Sequence, residues 1–367
     1  MQLKLQFTVK RVRVKRAPLM RALAVTGAIA LAAVTIPSTG ASAAQVTSQS
    51  SKSPYAALSP DTAVTSPHLS QAAVSKARAA SLAYWTPQRL KNAKNGDALA
   101  PKPQINAPAH ATPGPAAPAF GTPHKVAAVA GKYKAHSVAA TRTGASPDLG
   151  TVYVTPSIGK VFFSVGGGDY ACSASSVNSA SGELVITAGH CVYSVSDQAW
   201  SSNFVYIPAY ANGDAPYGTW SGESLATFAG FASSGDDTLD TGYVAVSGPS
   251  NLVATVGGNG VEEGYTSFAD PLFTMGYPAA SPENQAYCYA TATINTSDGL
   301  VFMPCDQGPG ASGSPMLDNY DTTSGLGTLA SDLTLVWSYS DGTTANSGPI
   351  WGSTQWNEYL SMGSVTV

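Results

Sequence analysis

In the second half of the chain, short runs rich in Val, Thr, Tyr and Phe alternate with clusters of Gly, Asn, Asp and Ser. The runs are Lys160–Val165, Leu184–Ala188, Phe204–Ile207, Thr241–Val246, Leu272–Met275, Tyr287–Ile294 and Leu333–Tyr339. β-Branched and aromatic residues suit a pleated, half-buried surface, so these runs predict strands and an all-β domain, sandwich or barrel. A closing stretch, Ser353–Met362, carries Trp356, Tyr359 and Leu360 at helical spacing and predicts a terminal helix. The 217 residues from Thr151 onward are enough for one β domain or a fused pair of small barrels. No internal repeat is evident.

The first 150 residues have a different texture. Lys10, Arg11, Arg13, Lys15, Arg16 and Arg21 form a basic start, followed by the apolar run Ala22–Ile36 and then Ala41-Ser42-Ala43-Ala44. Basic, apolar, then small residues is the layout of a cleaved secretory signal, and the apolar run is short of the roughly 20 residues that span a bilayer. Residues 1–44 are therefore expected to be a signal peptide cleaved near Ala43 or Ala44. No Arg-Arg pair precedes the apolar run, which points to the general secretory route. The product is expected to be extracellular and free of the membrane after cleavage. Residues 45–150 are rich in Ala, Pro, Ser and Lys, with Pro at 101, 103, 108, 113, 115, 118 and 123. Such a pro-region or linker buries little apolar surface and is expected to be mostly extended or disordered. Leu69–Leu99 has some helical periodicity around Ala72, Val74, Leu82 and Leu90.

Charge separates the same two sections. Residues 1–150 carry 18 Lys and Arg against 3 Asp, a net +15, whereas residues 151–367 carry Lys160 alone against 19 Asp and Glu, a net −18. The acidic section disfavours nucleic-acid binding, and the opposite signs favour association of the pro-region with its own domain in cis. All four cysteines, Cys172, Cys191, Cys288 and Cys305, lie in the acidic section, with no Cys-x-x-Cys pair. An even count in an exported chain favours two disulfides over metal ligation, and three pairings are open.

Of five histidines, only His190 lies in the acidic section. It ends the run Val185-Ile186-Thr187-Ala188-Gly189-His190-Cys191, which places an imidazole at a strand end, where a general base of near-neutral pKa is useful. Gly310-Ala311-Ser312-Gly313-Ser314-Pro315 sets a serine among small residues, so the backbone turns tightly and exposes the hydroxyl. The N–H groups of Gly310 and Ser312 are then free to face a developing oxyanion, worth roughly 3–4 kcal/mol per donor. A carboxylate must orient the imidazole. Asp240, opening Asp240-Thr241-Gly242-Tyr243-Val244-Ala245-Val246, is preferred over Asp236 and Asp237, which sit in a Ser-Ser-Gly-Asp-Asp turn.

Thr-Ala-Gly-His-Cys, Asp-x-Gly-aromatic and Gly-x-Ser-Gly-Ser-Pro, in that chain order, resemble the chymotrypsin-like serine peptidases over about residues 155–362. The Gly-Ser-Pro ending resembles their secreted bacterial branch, which includes glutamyl endopeptidases. The resemblance implies two six-stranded Greek-key barrels with the site in the cleft between them. It also implies a Cys172–Cys191 disulfide beside the histidine, which leaves Cys288–Cys305. Function follows as an expectation: a monomeric serine endopeptidase, made as an inactive precursor, that cuts protein or peptide substrates through an acyl-enzyme on Ser312. His190 would be base then acid, Asp240 would orient it, and no metal or organic cofactor is needed.

Two departures matter. The position before the nucleophile, where the animal branch keeps an Asp that pairs with a new N-terminus, is Ala311, so activation must uncover the cleft or relieve an inhibitory contact instead. Asp306 lies six residues before Ser312, the offset at which trypsin-type members keep the acid that binds Lys or Arg. With no second histidine in the domain, a basic preference is favoured over a glutamyl one. Ser338, Tyr339 and Ser340 are expected on the other wall of the pocket. A peptidase of this preference meets Lys125, Lys132, Lys134 and Arg142 just upstream of its domain, so self-processing near Arg142 is expected.

Overall fold

Strands form where the β-branched and aromatic runs lie, and the longest helix forms on the Ala-rich stretch Gln71–Tyr84. The computed structural model describes residues 61–67, 71–102, 124–133, 138–143, 149, 151–265, 271–295 and 298–367. The expected signal segment and the proline-rich run 103–123 lie outside the described residues. The N-terminal section contributes β1 (Ala63–Thr65), α1 (Gln71–Tyr84), α2 (Pro87–Asn92), β2 (Lys94–Asn95), β3 (Lys125–Val126) and β4 (Thr141–Arg142). Next come β5 (Ile158–Val165), β6 (Gly168–Val177), β7 (Leu184–Ala188), β8 (Tyr193–Ser194), β9 (Ala199–Trp200), β10 (Ser202–Pro208) and β11 (Trp220–Phe228). They are followed by α3 (Ala229–Ser234), β12 (Thr241–Ser247) and α4 (Leu252–Val256). The remainder holds β13 (Gly260–Glu262), β14 (Pro271–Gly276), β15 (Ala286–Thr291), β16 (Thr293–Asn295), β17 (Leu300–Met303) and β18 (Pro315–Asp321). It ends with β19 (Leu326–Asp332), β20 (Leu335–Ser338), β21 (Thr344–Pro349) and α5 (Ser353–Gly363).

The strand order β11-β10-β5-β6-β7-β12 closes on itself, because β12 pairs back onto β11. This six-stranded barrel is filled by Val161, Phe163, Val185, Phe204, Tyr206, Trp220 and Val244, all buried. The second half is built of two sheets, β3-β13-β19-β18-β14-β15-β4 and β16-β17-β21-β20. Leu272, Met316 and Ala330 from the first and Ile294 and Val301 from the second share one core, consistent with the expected chymotrypsin-like double barrel. The terminal helix α5 packs on β12, with Trp356, Tyr359 and Met362 buried.

The N-terminal section departs from the expectation of an extended or disordered stretch over residues 61–102. Thr86 caps α2 by accepting the Arg89 N–H, and Pro87 follows at the first helical position, where its missing N–H has no consequence. Apart from alanine, these elements have few apolar residues of their own. They are ordered by what they meet: α1 lies on β10 and β11, β1 pairs with β11, and β2 runs parallel to β6. Trp85 and Leu99 are buried against the first barrel.

Lys160, the single basic residue of the acidic section, is buried in β5. Its Nζ donates to the Pro282 carbonyl at 2.7 Å and lies near the rings of Phe162 and Tyr210. Burial lowers its pKa to about 8, against the opposing pull of Glu283.

Candidate active site

Strand register brings the first two candidate residues together. β7 and β12 are antiparallel neighbours with Ala188 opposite Thr241, so the residue leaving β7 and the residue entering β12 meet at one barrel end. His190 sits in the short helical turn Gly189–Cys191, and Asp240 immediately precedes β12. His190 Nδ1 is 2.8 Å from Asp240 Oδ2, and the His190 backbone N–H donates to Asp240 Oδ1, also at 2.8 Å. The two bonds lock both the imidazole and its turn on one carboxylate. A Cβ on Gly189 would fall 2.9 Å from Asp240 Oδ1, so the close approach needs glycine here. Asp236 is spent elsewhere, capping the turn before Asp240 through the Thr238 N–H. The Cys172–Cys191 disulfide ties this turn to β6, and Cys288–Cys305 ties β15 to the loop that leads to Ser312.

The loop Gly310–Ser314 is fastened from both halves. The Ser312 carbonyl accepts the Ser173 N–H of β6 at 2.8 Å, Ser173 Oγ donates to the Gly310 carbonyl, and the Gly313 N–H donates to the Leu333 carbonyl. Gly313 has φ +83°, and a Cβ there would fall 2.2 Å from both the Ser173 carbonyl and Thr187 Oγ1. Glycine is required on both counts.

His190, Asp240 and Ser312 each have 0% exposure. The cover is the N-terminal section. Asp97, in the turn Gly96–Leu99, accepts the Ser312 hydroxyl on Oδ1 at 3.0 Å and the Gly310 N–H on Oδ2. His190 Nε2 is buried without a hydrogen-bond partner among the described residues. The serine proton is therefore directed at Asp97 rather than at the imidazole.

A third carboxylate lies behind the pair. Asp332, fully buried at the end of β19, accepts from Thr241 Oγ1 at 2.8 Å and Trp351 Nε1 at 3.1 Å. Burial, with the charge of Asp240, raises its pKa well above the carboxylate range. Burial acts to lower the His190 pKa, but Asp240, Asp97 and Asp332 outweigh it and the net direction is upward.

The expected pocket residues lie outside the buried triad. Asp306 is exposed, Ser338 and Ser340 are exposed, and half-buried Tyr339 lines a cleft with Thr291, Phe302, Pro304 and Ala345. Gln307 is the buried neighbour, its N–H donating to Asn346 Oδ1 and its Nε2 to the Ala286 carbonyl. Sequence reading missed Asp97 and Asp332 as members of the site. For Asp97 a signal existed: it is one of only three acidic residues in the first 150.

The protease Anisep from Arthrobacter nicotinovorans is 30% identical, with a TM-score of 0.51, over 58% of this chain and 99% of its own. The thermostable serine protease AL20 from an extremophilic microorganism matches with the same identity, coverage and TM-score. The chain belongs to the chymotrypsin-like serine proteases. An extracellular metalloprotease of Bacillus subtilis (strain 168) is 30% identical over 164 residues, or 42% of this chain. The match spans 48% of that protein's length, so this chain aligns with about half of it. No protein-family model matches the chain.

Proposed function

We propose that this chymotrypsin-like protein is a secreted serine endopeptidase made as an inactive precursor. The observation that carries the reading is the His190–Asp240 pair at 2.8 Å, with Ser312 held in a glycine-flanked turn beside the Gly310 N–H. In the uncovered site Ser312 Oγ attacks the substrate carbonyl while its proton passes to His190 Nε2. The N–H groups of Gly310 and Ser312 hold the oxyanion. Collapse breaks the C–N bond, the departing amine takes the proton from His190, and an ester remains on Ser312. Water, deprotonated by the same imidazole, then releases the acid. Asp240 keeps Nδ1 protonated and stabilises the imidazolium.

The Bacillus relative is named a metalloprotease. The one group of ligand-type side chains among the described residues is Cys172, His190 and Cys191, and both sulfurs are committed to a disulfide. Secretion and removal of residues 1–44 rest on the signal layout. No helix among the described residues is long and apolar enough to cross a membrane.

A Lys or Arg preference rests on the offset of Asp306 from Ser312 and on the burial of Lys160, which shields the one internal site. Arg142, exposed in β4, is the corresponding processing position. Cleavage of a peptide library by the mature enzyme, with Asp306→Asn beside it, tests the preference. Unchanged selectivity in the variant removes Asp306 from the pocket.

The activity test is covalent labelling of the secreted, processed protein by a fluorophosphonate. Labelling that disappears in Ser312→Ala establishes an activated serine. Absence of labelling in a folded, processed protein makes it a non-catalytic double-barrel binding module.

A further inference from the structure

Residues 61–67 and 71–102 make a graded series of contacts that ends at the nucleophile. Asp61 accepts the Gly230 N–H, β1 adds a strand to β11, and Ser66 exchanges two hydrogen bonds with Leu225. The Trp85 ring packs 5.5 Å from that of Phe162, and its indole N–H donates to the Asn203 carbonyl at 2.6 Å. Arg89 pairs with Asp169 at 2.6 Å, and Tyr84 donates to the other oxygen of that carboxylate. β2 then runs beside β6, Gly96 packs on the Cys172 sulfur, and Leu99 enters the core beneath the disulfide. Between Gly96 and Leu99 the Asp97 carboxylate takes the Gly310 N–H on one oxygen and the Ser312 hydroxyl on the other.

That placement is chemically specific. A carboxylate puts negative charge where an oxyanion donor points, so it occupies the donor in the ground state. Its carbon carries no amine leaving group, so it cannot acylate Ser312. By accepting the Ser312 hydroxyl's hydrogen bond it also turns that proton away from the Ser312–His190 hydrogen bond on which deprotonation depends, and His190 Nε2 is left without a partner among the described residues.

Resting on the serine-peptidase reading, we propose that residues 61–102 are this enzyme's own docked inhibitor and that Asp97 is its inhibitory group. The anchors lie apart from Arg142, on the strands of the first barrel. A cut near Arg142 therefore leaves the segment seated, and activation requires that residues 61–102 be displaced or destroyed.

The test compares full-length wild type, Asp97→Ala, Asp97→Asn and Ser312→Ala by the rate of fluorophosphonate labelling, with intact mass confirming that no cleavage has occurred. Wild-type protein digested to remove residues 61–102 serves as the reference. Loss of a charge-assisted bond on Gly310, with return of Ser312 to His190, is expected to speed labelling at least about tenfold in uncleaved Asp97→Ala. Asp97→Asn, nearly isosteric, should lie between it and wild type and guards against misfolding of the alanine variant. If the digested reference labels fast while both uncleaved variants stay at the wild-type rate, the role of Asp97 is overturned. If an Arg142-nicked precursor labels as fast as the reference with residues 61–102 still present, the docked-inhibitor proposal fails. A digested reference that does not label overturns the serine-peptidase reading itself, a different result from either.

Discussion

Asp240 and Asp97 approach the same few atoms from two regions of very different construction. Asp240 stands at the head of β12, inside a closed barrel, and is fully buried on hydrogen bonds that the β7–β12 register imposes. Asp97 stands on a single helical turn of a segment with little core of its own, carried there by a tryptophan, an ion pair and two short strand pairings. One carboxylate orients the imidazole and the other diverts the serine proton. Identical chemistry thus serves opposite ends, because a barrel residue cannot leave without unfolding the barrel, whereas a docked segment can leave alone.

The largest effects should come from the barrel side. Ser312→Ala in the processed enzyme is expected to lower kcat by about a millionfold, and Asp240→Asn by about 10,000-fold, the scale seen when a triad member is lost on other folds. Both are read from turnover of a peptide ester, and a loss under tenfold for Asp240→Asn would remove it from the triad.

Damage to the docked segment should act in the reverse direction. Trp85→Ala deletes a buried indole, a change that costs roughly 3–5 kcal/mol in a core, so the uncleaved precursor should label at least about 100-fold faster. Equal rates for Trp85→Ala and wild type would show that the segment is not held by this anchor. Asp97→Asn adds a second readout. Activity needs neutral His190, whose pKa is raised in part by the Asp97 charge. Removing that charge lowers the pKa, so the acid limb of the pH–rate profile should move to lower pH than in uncleaved wild type.

Salt should matter least to the comparison, despite net charges of +15 and −18. Among the described residues few of those charges meet, and Arg89 of the Arg89–Asp169 pair is 45% exposed, a class worth under about 1 kcal/mol. The nicked segment should therefore stay bound in 1 M NaCl on gel filtration, and release there would make long-range attraction the main force. Within the domain, burial raises the Glu358 pKa to about 7. Its folded form favours the proton, so its contribution is present below the unfolded carboxylate pKa and is lost as the pH rises through about 7. Glu358→Gln should raise Tm by about 2–4 °C at pH 8.5 and leave it unchanged near pH 4.

Much of the fold was written in local order. The runs around Lys160, Leu184, Phe204, Thr241 and Leu272 became strands because β-branched and aromatic residues alternate with turn formers there, and Ser353–Gly363 became a helix on the spacing of Trp356 and Tyr359. The motifs around His190, Asp240 and Ser312 were legible for the same reason. Each is a short stretch whose backbone conformation depends on its own glycines and small residues.

What only the tertiary structure decided is how distant stretches share space. Asp97 and Ser312 are 215 residues apart. Nothing local in Asn95-Gly96-Asp97 announces a contact that exists because Trp85 and Leu99 are buried in another region's core. Composition marked residues 45–150 as unable to bury a core of their own, and within residues 61–102 the domain supplies that core. Likewise Asp306 was located by counting from Ser312, yet whether a side chain enters a pocket depends on the path of its loop across both sheets. Sequence determines conformations held by neighbours along the chain. Contacts that offset their ordering entropy by burial against remote surfaces are settled by the packing.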